Sequence, residues 1–159
     1  MNIEDLPYRP AAAVMLLNQE NRVFVAQRID TQFDAWQMPQ GGLDPDEDAQ
    51  AGALRELEEE TGIPPRLVEV IARSSRELLY DLPPQLAGNL WKGKYRGQRQ
   101  SWFLARFLGT DADINLETEH PEFRAWKWVD PSDLPLIIVA FKRKLYEDVL
   151  EEFAHLIEK

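Results

Sequence analysis

Residues 44–65 leave this chain the least freedom, because they carry a helix start, a helix stop and a set of charges that must share one face. Asp44 stands where an N-cap belongs, Pro45 suits a first helical position, and Glu47 completes an Asp-x-x-Glu capping box. Gly62 supplies a C-terminal cap and Pro64-Pro65 blocks continuation. The spacing predicts a helix over residues 45–61. Within it Glu56, Glu59 and Glu60 lie at i, i+3 and i+4, which brings three carboxylates onto one face. Leu54, Leu57 and Thr61 fall on the opposite face, which suits a core, and Glu58 points away from the triple. Taken alone, such a triple reads first as a solvated acidic face. Like charges packed this way repel, however, and a divalent cation or a protonation shift relieves them. Oxygen-only ligation fits magnesium or manganese rather than zinc.

The rest of the chain reads as a mixed sheet around that helix. Residues 11–17 form a short apolar run, read as a buried strand; residues 22–28 alternate around Val23 and Val25 as its hairpin partner, with Asn21 in the turn. A loop is expected over residues 31–44, with an extended piece at 36–39. Further strands are expected at 67–76, 100–108 and 125–129, and residues 82–99 form a long connection containing Pro and Gly. A second helix is expected over residues 138–157, where Leu145, Val149, Phe153 and Leu156 recur at spacings of three and four. The order implies one domain, 1–159, of α+β or α/β/α layered type.

Composition removes several function classes. The chain has 159 residues, enough for one core, and no cysteine, which excludes disulfides, zinc–thiolate sites and a cysteine nucleophile. The acidic N-terminus is no signal peptide, and no apolar run approaches the ~18 residues of a membrane span. A cytoplasmic protein, monomeric and without a membrane partner, is expected. The net charge of -10 argues against extended nucleic-acid binding, which needs many cations. It leaves room for one polyphosphate end bridged to carboxylates by a divalent metal. His120 and His155 are isolated and take no catalytic role.

Gly41, then Glu47 after five residues, then Arg55-Glu56-Leu57-Glu58-Glu59-Glu60-Thr61-Gly62-Ile63 after seven more, resembles the complete Nudix box, residues 41–63. The resemblance reverses the solvated-face reading. It implies the Nudix α/β/α sandwich, with a mixed sheet, one catalytic helix and a C-terminal helix. It also implies a hydrolase acting on phosphoanhydride bonds with Mg2+ or Mn2+, held by Glu56, Glu59, Glu60 and the Gly41 carbonyl. Arg55 and Glu47 would form a buried pair fixing the loop on the helix. Glu59 is one candidate base, and Glu122, outside the box, is a further ligand or base. Cations on the phosphate oxygens neutralise charge that repels a nucleophile, and a carboxylate takes the water's proton.

Similarity to one branch of the family extends through Tyr8-Arg9-Pro10, Trp36-Gln37-Met38-Pro39-Gln40, Tyr80-Asp81-Leu82-Pro83, Gly97-Gln98-Arg99-Gln100, Pro121-Glu122-Phe123 and Phe141-Lys142. That branch holds bacterial RNA pyrophosphohydrolases and plant-type asymmetric diadenosine tetraphosphate hydrolases. It implies substrate contacts from Arg9, Arg28, Gln40, Tyr80, Arg99, Phe141 and Lys142. The arginines would meet phosphate oxygens, or simply form surface ion pairs. Tyr80 and Phe141 would stack on a base, though a core role for Phe141 is as consistent. Lys142 would reach phosphate or solvent. Trp36, Trp102, Trp126 and Trp128 read as core and site wall, and Lys92, Lys94, Arg96 and Arg99 as a basic run suited to a lid. Two substrates stay open, and a dual capacity is expected, with RNA 5′-end processing as the cellular role. One is the 5′ end of triphosphorylated RNA, implying mRNA decay; the other is diadenosine tetraphosphate, cut to ATP and AMP. The insert at 85–97 leans to the plant-like subgroup, and the bacterial-looking ends allow RNA decapping. A non-catalytic nucleotide sensor would need a lost box carboxylate, and none is lost.

Overall fold

A computed structural model describes residues 2–30, 34–87 and 90–157. The first residues of the loop expected over 31–44 fall outside them. In chain order the elements are β1 (Tyr8–Leu17), β2 (Val23–Arg28), β3 (Gln40–Gly42), α1 (Ala49–Thr61), β4 (Val68–Arg73), β5 (Leu78–Asp81), α2 (Pro84–Ala87), β6 (Gly97–Phe107), β7 (Phe123–Val129), α3 (Leu134–Ile137) and α4 (Arg143–Ile157). The main path of the sheet is β4-β6-β1-β2-β7, with β3 paired to β1 and β5 to β6. Among the described residues β1 and β6 run parallel and the other pairs are antiparallel.

The uninterrupted apolar character of β1 follows from helices on both faces of the sheet. Ala13, Met15 and Leu17 pack with Trp102 and Leu104 under Leu145, Tyr146, Val149 and Phe153 of α4. Their neighbours Ala12, Val14 and Leu16 pack with Phe24, Phe103 and Phe107 under Ala53 and Leu57 of α1. The α/β/α sandwich expected from the sequence is the observed one.

After their turn β1 and β2 part. Asn18 Oδ1 accepts from the N–H of Glu20 (2.9 Å) and Arg22 (3.0 Å), and Asn21 takes the left-handed conformation, φ 60°. Beyond Leu17↔Val23 the gap between the strands is filled by residues 37–42. Gln37 exchanges both backbone hydrogen bonds with Ala26, the Val14 N–H donates to Pro39 O at 3.0 Å, and β3 pairs with Ala11, Ala12 and Ala13. This wedge carries Gly41 to the end of α1.

The structure corrects several boundaries. Helix α1 begins at Ala49, not at 45, and its cap is Asp48, whose Oδ2 accepts from the Ala51 N–H at 3.0 Å. The Asp44–Glu47 hydrogen bonds exist, but they close a turn: Glu47 N–H donates to Asp44 O and Asp44 N–H to Glu47 Oε1, both 3.0 Å. Asp46 at φ 63° breaks any helical continuity there. The strand expected at 67–76 is β4, which ends at Arg73, where the Ser74 N–H donates to Trp102 O; β5, at 78–81, was not expected. The connection expected over 82–99 contains α2, and β6 starts at Gly97. The C-terminal helix starts at Arg143, because Ile138 and Val139 are extended (ψ 156° and 141°) and the Ile137 carbonyl accepts from Trp36 N–H instead of continuing a helix. Among the described residues no helix is long and apolar enough to cross a membrane.

One buried hydrogen bond ties α4 to the wedge: Met38 N–H donates to the Tyr146 hydroxyl at 2.8 Å. Tyr146→Phe leaves that N–H unsatisfied and should cost about 1–3 kcal/mol. Urea unfolding should show a lower midpoint at unchanged slope; an unchanged midpoint would mean that the bond contributes nothing.

Candidate active site

Helix α1 delivers Glu56, Glu59 and Glu60 in a gradient from core to solvent. Glu60 lies on the buried face with Ala53, Leu57 and Thr61, Glu56 is half-buried and Glu59 exposed. Both carboxylate oxygens of Glu60 are buried without a hydrogen-bond partner. Burial first, then the charges of Glu122 and Glu56, pushes Glu60 well above the usual carboxylate range. Burial likewise raises Glu56, against the pull of Arg55.

Arg55 organises the approach to these groups. Its Nε and Nη2 hold both oxygens of Glu47 at 2.7 and 2.8 Å, and Nη2 also reaches the Gly42 carbonyl at 3.3 Å. Its Nη1 contacts Glu56 at 3.1 Å and Glu59 at 3.2 Å. The Glu47 carboxyl is held down at about 2 by the hydrogen bonds from Arg55 and then from the Asp44 N–H. The pair is partly exposed, where a buried pair was expected. A β-carbon on Gly41 would stand inside the carboxyl group of Glu56, so any side chain there would push that carboxyl aside. Among the described residues no three acidic or histidine side chains stand close enough to hold an ion as they are. Arg55 draws Glu56 and Glu59 to itself.

A cleft of about 530 Å³ opens beside this helix. Arg9 from β1, Arg28 from β2, Gln40, Gly41 and Gly42 from β3, Glu56 from α1 and Tyr80 from β5 line it, with Glu122, Phe141 and Lys142. Lys142 is buried beside the rings of Tyr80 (4.9 Å) and Phe141 (6.0 Å). Burial, helped by the Arg28 charge, lowers it to about 8. Arg28 is bidentate to Asp30, both contacts 2.8 Å. Phe141 is half-buried, lines the cleft, faces Tyr80 at 6.1 Å between ring centres, and also packs against the core.

The structure does not bring Arg99 into the cleft. It faces the opposite side of β6 from Gln98 and Gln100 and meets Glu77 at 3.5 Å. Arg96 is also committed elsewhere, to Asp81 (2.8 Å), the Tyr8 ring and the Glu4 carbonyl. Lys92 and Lys94 are exposed. Glu59 and Glu60 lie outside the cleft lining itself.

Sequence reasoning missed an amide ladder. The Trp102 indole N–H, a donor only, gives to Gln100 Oε1 at 2.8 Å. Gln100 Nε2 must then face the other way, and it donates to Gln98 Oε1 at 2.7 Å and to Gln40 Oε1. The Nε2 donors of Gln40 and Gln98 are thereby turned away from the ladder, and both residues line the cleft. The signal was present in Gln98-x-Gln100-x-Trp102, which puts two amides on the same strand face as a tryptophan. Trp91 also lines the cleft and was passed over.

The profile of the NUDIX domain matches residues 7–149. The chain is similar to the RNA pyrophosphohydrolase of Sphingopyxis alaskensis, 59% identical over 154 residues that cover 97% of this chain and 98% of that protein. The RNA pyrophosphohydrolase of Zymomonas mobilis subsp. mobilis is 57% identical, covering 96% and 98%. Among solved structures, the C. elegans Ap4A hydrolase binary complex superposes with a TM-score of 0.67 at 23% identity, covering 92% of this chain and 98% of that one, which speaks for the fold alone. Box residues, layered fold and these relatives agree: the chain belongs to the Nudix family and is a Nudix hydrolase.

Proposed function

We propose that this chain is an RNA pyrophosphohydrolase, releasing pyrophosphate from 5′-triphosphorylated RNA and also cleaving dinucleoside polyphosphates. One observation carries the reading: a single cleft joins the Glu56–Glu122 carboxylates to the cations Arg9, Arg28 and Lys142 and to an aromatic wall. That arrangement complements a polyphosphate attached to a base: cations meet its phosphates, carboxylates meet them through a divalent metal, and the rings meet the base. The names of the relatives at 57–59% identity support RNA as the substrate.

The donor set fits a hard divalent cation. Glu60 offers two buried oxygens that no protein donor satisfies, and Glu56 lies against the Gly41 backbone. Magnesium, or manganese, would be held by Glu56, Glu59, Glu60, Glu122 and the Gly41 carbonyl, and when bound it supplies neutralisation of the phosphate oxygens and a more acidic attacking water. Glu59, exposed and on a rotatable stem, leaves Arg55 to take part. Arg9, Arg28 and Lys142, with the amides of Gln40 and Gln98, hold the phosphate chain in line. Phe141 and Tyr80 receive the base. Glu59 or Glu122 takes the proton of the attacking water.

Magnesium-dependent kcat/KM on a triphosphorylated RNA and on diadenosine tetraphosphate tests the substrate. RNA should be preferred; the reverse order makes the protein a diadenosine tetraphosphate hydrolase giving ATP and AMP. Glu59→Gln should lower kcat by roughly 10²-fold or more with the fold intact, and Glu58→Gln should be nearly silent. Equal effects would defeat the assignment of the helical face.

Phe141→Ala should weaken RNA and dinucleotide substrates alike, since stacking of about 1–3 kcal/mol is nearly indifferent to base identity. Inorganic polyphosphate should be spared. A large fall in melting temperature with equal loss on every substrate would assign Phe141 to the core alone.

A further inference from the structure

Arg9 lies in the cleft with its guanidinium flat against the backbone of Gly42, in the space a β-carbon there would fill. The Trp91 ring covers it, with the guanidinium carbon 5.2 Å from the ring centre. Among the described residues no carboxylate pairs with Arg9, whereas Arg28, Arg55, Arg96 and Arg99 each have one. The ring is delivered by an unusual backbone. Trp91 (φ 52°, ψ 36°) and Lys92 (φ 59°, ψ 26°) are both left-handed, and Gly93 follows at φ 70°. Residues with a β-carbon rarely adopt that region, and two in succession persist only where surrounding contacts enforce them. Here Tyr95 meets the indole edge-to-face at 6.2 Å and the Lys94 N–H closes the turn on the Trp91 carbonyl at 3.2 Å.

We propose that Trp91 is a positioning residue for Arg9: with Gly42 it clamps the guanidinium between a ring and a bare backbone, so that its N–H edge stays charged and open to a phosphate. A carboxylate would also fix the arginine, but it would occupy those donors and cancel the charge. An aromatic face holds the cation through its quadrupole and takes up none of the in-plane N–H groups. The left-handed turn at 91–93 exists, in this account, to present the ring from a loop that has no helix or strand to carry it. The inference rests on Arg9 meeting phosphate, as in the function proposed above, but not on RNA being the substrate.

The probe is inorganic tripolyphosphate, which has no base, titrated calorimetrically into the whole protein with saturating magnesium. Trp91→Ala should weaken binding roughly three- to thirty-fold, the range of a partly desolvated cation–π contact, and Trp91→Phe should restore most of it. In turnover of nucleotide substrates the loss should appear in KM, with kcat nearly unchanged. The decisive arm is the Arg9→Ala background, where Trp91→Ala should add nothing. Additive losses overturn the proposal. So does normal tripolyphosphate binding by Trp91→Ala alongside weakened nucleotide binding, which would make Trp91 a base platform. Thermal unfolding of each variant shows that the binding loss is not a loss of fold, since Trp91→Phe keeps the ring. Failure to hydrolyse RNA would remove the RNA reading and leave these outcomes unchanged.

Discussion

The contacts of Arg55 are the constraint on which the active site depends. One guanidinium joins Glu47 in the approach turn, the carbonyl of Gly42 in β3, and Glu56 and Glu59 on its own helix. Without it Asp44 and Glu47 of the approach turn would share one neighbourhood with Glu56 and Glu59 and no cation between them. A planar, permanently charged fork is the group that serves several oxygens at once, which a lysine's compact ammonium does not. Arg55 is also a stand-in cation. It partly neutralises the two carboxylates nearest solvent and leaves Glu60, deeper in the helix face, uncompensated.

The sandwich follows from equally simple terms. A parallel pair at the centre of a sheet must be covered on both faces, and β1 answers with apolar residues in both registers. That run was legible in the sequence, as was the Gly62 stop at the end of the catalytic helix. The starts were harder. An Asp-x-x-Glu pattern suits a turn as well as a helix start: here the Glu47 N–H donates to the Asp44 carbonyl rather than to its side chain, and Asp46 at positive φ with Arg55 drawing on Glu47 decides for the turn. At the C-terminus the apolar periodicity does extend back to Ile138, but Trp36 competes for the Ile137 carbonyl. The resulting break aims Phe141 and Lys142 at the cleft. Both errors lie where tertiary hydrogen bonds override local preference, and both lie at the site.

Candidate site residues were legible to the degree that a local pattern marks them. The box glutamates share a helix, so spacing alone groups them. Arg99 and Gln98 are neighbours on one strand and therefore face opposite ways; the basic run suggested the wrong one. The choice becomes visible only when Trp102 is known to be buried, because its indole fixes the face on which Gln100 and Gln98 must lie. Arg96 was misread for a similar reason: its partners Asp81 and Tyr8 are remote in sequence.

A chain of net charge -10 that handles polyphosphate needs its cations protected from its own acids. The cleft does this in graded fashion. Arg28 is the most compromised, held by both oxygens of Asp30. Lys142 is shielded by Tyr80 and Phe141 instead of a carboxylate, and its burial costs it proton affinity, to about 8. It is therefore mostly charged at neutral pH and gives up its charge as pH rises through that value, while an arriving phosphate would raise its affinity for the proton again. Arg9, between Gly42 and Trp91, keeps both charge and donors. Glu56, which lines the cleft, and Glu60, buried outside its lining, are raised first by burial and further by Glu122. Carboxylates and cations thus stand partly desolvated at one cleft, where a divalent cation would relieve the first and a phosphate the second.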